Sequence, residues 1–101
     1  SIQIAENSLT ALSNSTNSIL RDVVRQMEPA LTNFLSTYSS ALLNSTIIKL
    51  ESKYKTNKLS IAWDISSDAK LFVIIKVDNK QYCYQGTGEY RIKLVKSKRC
   101  R

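Results

Sequence analysis

The stretch Leu71-Phe72-Val73-Ile74-Ile75-Lys76-Val77-Asp78-Asn79-Lys80-Gln81-Tyr82-Cys83-Tyr84 decides the fold. Leu71, Val73, Ile75 and Val77 occupy alternate positions, and Tyr82 and Tyr84 resume the alternation beyond Asp78-Asn79. A period of two puts one set of side chains on one face of a strand, and two turn-forming residues between such runs favour a tight hairpin. Closing the turn pairs Val77 with Lys80, which sets Ile75 opposite Tyr82 and Val73 opposite Tyr84. A slip of one residue would send one apolar set to the wrong side, so register and hydrophobic pattern agree on a hairpin with one apolar face.

Upstream, Leu59, Ile61, Trp63 and Ile65 alternate with Ser60, Ala62 and Asp64. Downstream, Tyr90, Ile92 and Leu94 follow Gly86-Thr87-Gly88, and a turn centred on Thr87 pairs Tyr84 with Tyr90 and Tyr82 with Ile92. The result is a four-stranded antiparallel meander with the tyrosines on its apolar face. That face needs a cover, and the remaining apolar surface is helical. Ile2, Ala5, Leu9 and Leu12 recur at three- and four-residue steps, as do Leu20, Val24, Met27, Leu31, Phe34, Tyr38 and Ala41, ending near Ile48. An α+β fold follows, a long or kinked N-terminal helix packed on the meander. At 101 residues one core is expected, with a helical region 1–52, a meander 58–96 and a basic tail 97–101.

Two features bear on the helix. Pro29 lacks an amide proton and should kink it, while Ser13 to Ser18 compete for backbone hydrogen bonds and offer an alternative, a helical hairpin turning there. A straight helix of some 45 residues would reach ~65 Å, far beyond a strand of ~20 Å, so part of it projects or folds back. Ile2, Leu9 and Leu12 are therefore candidates for a partner interface, in an assembly or a partner's groove.

The two cysteines are Cys83 and Cys100. With no histidine to complete a zinc site, the choice lies between a disulfide and free thiols. Register puts Cys83 on the outer face, opposite Ile74 and next in line to Phe72, which would otherwise form an exposed apolar spot and a second candidate interface. A bond to Cys100 would draw the tail back across that face and close a loop of ~18 residues, stabilising the fold by about 3 kcal/mol.

Charge divides the chain. Residues 1–48 hold only Arg21 and Arg25 against Glu6, Asp22 and Glu28, whereas the other thirteen basic residues and five acids follow, for a net charge of +7. Without histidine the commonest general base is missing, and no catalytic residue, metal, cofactor or small-molecule substrate is expected. Arg91, Lys93, Lys96, Lys98, Arg99 and Arg101 form a candidate polyanion site for DNA or an acidic lipid surface. The alternative is that they protect an edge strand. No run of ~20 apolar residues could span a membrane. The start at Ser1, without a methionine, suggests a processed protein or a sequence that lacks its natural start. Three function classes remain: an extracytoplasmic structural or protein-interaction subunit, a polyanion-binding module, and a small secreted toxin or inhibitor.

The stripe through Leu20 to Tyr38, the strands beginning at Leu59, Leu71, Gln81 and Glu89, and the Cys83/Cys100 pair together resemble the layout of the soluble part of type IV pilins and pseudopilins. The resemblance implies a membrane-embedded helix preceding Ser1, an extracytoplasmic location and a helix packed in a filament core.

Overall fold

The computed structural model describes residues 2–100, with side chains from Ser15 onward. Helix α1 (Ile2–Thr37) and helix α2 (Ala41–Lys53) precede a short 3-10 turn (Lys55–Asn57) and four strands. These are β1 (Ser60–Ile65), β2 (Leu71–Val77), β3 (Lys80–Thr87) and β4 (Lys93–Lys96), in one antiparallel sheet of order β1-β2-β3-β4. Two helices packed on a four-stranded meander make the fold α+β.

The β2–β3 hairpin has the expected register: Val77 faces Lys80, Ile75 faces Tyr82 and Val73 faces Tyr84. Its turn residues Asp78 and Asn79 have φ of 53° and 67°, the paired left-handed conformation whose twist matches that of the strands. The last hairpin differs from expectation. Tyr84 pairs with Lys96 rather than Tyr90, and Gly86 pairs with Leu94, so β3 runs through Thr87 and the chain reverses over residues 88–92. Glycine chemistry explains the change. Gly88 has φ of 107°, and a Cβ there would overlap the Arg91 carbonyl oxygen, so the tight reversal falls at Gly88 to Arg91. Gly86 is instead a strand residue against which Leu71 and Ile92 close: a Cβ would lie 3.1 Å from Leu71 Cδ2 and 3.2 Å from Ile92 Cγ2. Moving the partner of Tyr84 by six positions, an even number, preserves the faces. Ile92 and Leu94 remain buried, but Tyr90, expected in the core, is 91% exposed in the loop.

The helical cover turns neither at Pro29 nor at Ser13 to Ser18. Pro29 lies within α1 and is exposed, so its ring faces water. The reversal falls at Tyr38–Ser40, where Tyr38 adopts φ of 57°. Hydroxyls there replace helical partners: Ser39 N donates to Thr37 Oγ1 at 3.1 Å and Ala41 N to Ser39 Oγ at 3.3 Å. The stripe consequently ends early, leaving Tyr38 87% and Ile48 67% exposed. Among the described side chains of α1 the buried apolar ones are Ile19, Leu20, Val23, Met27, Ala30 and Leu31, with Val24 at the margin. They join Leu43 and Leu50 of α2 and the alternate residues of β1 to β3 in one core.

Carboxylates tie this cover to both edges of the sheet. Leu94 N of β4 donates to Glu28 Oε2 at 2.8 Å and Ile92 N to Thr32 Oγ1 at 2.9 Å, while Ile61 N of β1 donates to Glu51 Oε2 at 2.8 Å. Outward amides that could recruit a foreign strand are thereby occupied. A third carboxylate, Asp22, is 8% exposed and joins the two helices. It accepts from the Tyr54 hydroxyl, from Lys53 Nζ at 2.9 Å and from Arg25 Nη2 at 2.9 Å. The tyrosine hydrogen bond and then the lysine hold its pKa at about 2, against an ordinary 3.8. A depressed carboxylate pKa adds stability that is complete above pH 3.8 and is lost as pH falls toward 2. Because Lys53 and Arg25 are largely hydrated, the contribution is about 1 to 2 kcal/mol. Acid titration of unfolding stability should show this loss, and Asp22→Asn should flatten the profile in that window while lowering stability at neutral pH.

Candidate interaction surfaces

Cys83 and Cys100 form a disulfide, with Cα atoms 6.0 Å apart. Cys83 faces Ile74 on the outer side of the sheet, and Ser97 N donates to Cys83 O at 3.0 Å where the tail leaves β4. The tail thus crosses the outer face. There the Arg99 guanidinium lies 5.1 Å from the centroid of the Phe72 ring, and its Nη2 lies 3.1 Å from Asp68 Oδ2. Asp68 is held below the usual carboxylate range by the Ser66 hydroxyl and by Arg99. As a result Phe72 is only 8% exposed, covered from within the chain, and Ile74 is half-buried beside it.

The basic residues that cluster in sequence are dispersed by the fold. Lys93 lies opposite Thr87, near the Gly88 loop that carries Arg91. Arg99 is engaged by Asp68, whereas Lys96 and Lys98 share a shallow depression with Gln81, Tyr82, Cys83 and Ser97. Arg101 lies outside the described residues, as do the side chains of Ile2, Leu9 and Leu12 on α1. The acids explain why so much positive charge stays free. Asp22, Glu28, Glu51, Asp68 and Asp78 each accept a hydrogen bond from elsewhere in the protein, and Asp64 accepts one from the adjacent Ile65 N. Among the described residues only Arg25, Lys53 and Arg99 lie within ion-pair distance of a carboxylate.

A second surface was not apparent from periodicity. Residues 29–48, from Pro29 to Ile48, contain no charged side chain, and they build the last quarter of α1, the turn and the first two turns of α2. This uncharged tip carries exposed Leu35, Tyr38 and Leu42 at 37%, 87% and 47%. Leu35 also lines a depression of about 300 Å³ with Ile65, Gly88 and Ile92, which brings exposed Ile65 and the Tyr90 loop to the same end. The signal that could have revealed it was the absence of charge over those residues rather than any motif.

Among the described residues no helix is long and apolar enough to cross a membrane. Comparison with protein-family models, curated proteins and solved structures gives no match.

Proposed function

We propose that this chain is a non-enzymatic, extracytoplasmic structural subunit that assembles with further copies of itself through the uncharged tip of its helical hairpin. The observation that carries the reading is the coincidence at one end of an uncharged segment, 29–48, with exposed Leu35, Tyr38, Leu42, Ile65 and Tyr90. Two molecules of net charge +7 repel one another over most orientations. Contact centred on the uncharged helical hairpin, rather than on the sheet loops that carry Lys70, Glu89, Arg91 and Lys93 at the same end, removes apolar surface from water while limiting the approach of like charges. The disulfide supports an oxidising compartment, since cytosolic thiols are generally kept reduced. A helix that leads into a disulfide-closed meander is compatible with a pilin-like assembly component, in which Ile2, Leu9 and Leu12 would supply contacts at the opposite end of α1.

Sedimentation velocity over a concentration series tests the proposal. The native chain should associate reversibly, and Leu35→Ser combined with Tyr38→Ser should weaken association at least about tenfold, the equivalent of one partly buried apolar side chain. Both positions are exposed, so the melting temperature should change little. A native chain that stays monomeric throughout, or a variant that associates as well as the native chain, would contradict the reading.

A further inference from the structure

Three depressions on the basic side of the molecule are joined through shared lining residues. The first, of about 340 Å³, lies on the outer face and is lined by Lys58, Lys76 and Lys80 with Ser60, Asn79 and Gln81. Gln81 is also a wall of the second, about 310 Å³, to which Lys96 and Lys98 contribute. Lys96 in turn borders the third, about 550 Å³, with Arg21 and Arg25 of α1. The basic residues come from α1, the segment before β1, strands β2 to β4 and the tail after β4. Only their folding brings them into one line.

Their charge is largely uncompensated. Lys58, Lys76, Lys80, Lys96, Lys98 and Arg21 make no ion pair among the described residues. The acid lining the track is Glu28, which accepts from Leu94 N through one oxygen and keeps its charge, and Arg25 is paired with Asp22, so the compensation is confined to the α1 end. Nearby Asp78 is engaged by Thr16 and Asn57. Like charges gathered in concave surface raise the local potential and the energy of the empty site, and an anionic chain laid along them relieves both.

We infer that this track binds a flexible linear polyanion of the anionic-polysaccharide class through its sulfate or carboxylate groups. Shape excludes a lipid surface as the better match: the track begins on the outer face at Lys76, passes the end of β4 at Lys96 and finishes on α1, whereas a bilayer would meet one side only. Aromatic content argues against single-stranded nucleic acid. The aromatic residues lining the track are Tyr82, half-buried, and Tyr84, 6% exposed, so the track offers no free ring for base stacking. A polysaccharide needs no such platform. Between Lys80 and Tyr82, β3 extends beyond its pairing with β4, which leaves backbone groups beside the track for hydroxyls to meet.

The test uses the full chain with fluorescently labelled heparin oligosaccharide, oligo-dT and phosphatidylserine vesicles at ~50 and ~200 mM salt. Heparin oligosaccharide should bind most tightly and weaken steeply with salt. Lys58→Gln/Lys76→Gln/Lys80→Gln should weaken it at least about tenfold and lower the salt slope by about one unit for each contacting lysine removed. Lys96→Gln/Lys98→Gln should act in the same direction, providing a second variant with most of the track intact. Arg91→Gln/Lys93→Gln, outside the track, should stay within about twofold, the change expected of net charge alone. No binding to the oligosaccharide, tighter binding to oligo-dT or vesicles, or equal losses in the control and track variants would overturn the inference.

Discussion

Replacing Met27 with alanine is expected to destabilise the whole domain by about 3 kcal/mol, within the range for a buried long side chain cut to a methyl group. Met27 has no exposed surface and belongs to the cluster that joins α1 and α2 to the sheet. The cost has two parts, the lost transfer of its apolar atoms and the cavity left between elements that cannot close upon it. Because one core serves both layers, helix and sheet signals should melt together at the lower temperature, as expected of a two-state unit. Tyr38→Ala, 87% exposed at the hairpin turn, should change stability by less than about 0.5 kcal/mol. Urea unfolding followed by circular dichroism and by Trp63 fluorescence distinguishes the cases. Separate transitions for helix and sheet would mean that the hairpin is not the cover described here.

Removing the disulfide has the second large effect. Cys83→Ser/Cys100→Ser, or reduction of the native protein, should cost about 3 kcal/mol, chiefly by freeing a loop of some 18 residues in the unfolded chain. A local consequence should accompany it. With Cys100 released, the contacts of Arg99 with Phe72 and Asp68 lose their tether, and Phe72 becomes accessible on the outer face. Hydrogen exchange should then quicken at residues 97–100 by more than in α1 and α2, whose amides lose only the protection that the lower global stability removes. Exchange that is unchanged in the tail would show that the bond does not hold it to the sheet.

What was legible in the sequence follows from where the controlling interactions lie. The β2–β3 register is local, because alternation and two residues able to adopt positive φ, Asp78 and Asn79, act over a few positions. The β3–β4 register is not, since Gly86 lies where a side chain would crowd Leu71 and Ile92, which only the folded sheet brings together. The helical turn was hidden for a different reason. Pro29 and the Ser/Asn run carry recognised breaking signals, yet the chain reverses at Tyr38, an aromatic residue in a left-handed conformation that glycine or asparagine usually occupies. Likewise, nothing local marks Glu28 and Glu51 as structural, because their partners, Leu94 N and Ile61 N, come into place only across the fold.

The candidate surfaces divide in the same way. The pairing of Cys83 with Cys100 was accessible because both lie in one C-terminal segment and strand register fixes the face of the first. By contrast, the basic residues closest in sequence are separated, Lys93 and Arg91 near one end and Lys96 and Lys98 toward the other. Lys58, Lys76 and Lys80 converge from three segments without any shared motif. Charge content alone therefore singled out one half of the chain but not a surface.

Hydrogen exchange measured at low and high protein concentration tests the central claim, that copies meet through the uncharged tip, most directly. Added protection is expected at high concentration in residues 35–42 and in the loop 88–91, with the lysine-lined outer face unchanged. Protection that does not depend on concentration, or that appears on the outer face instead of the tip, would contradict it.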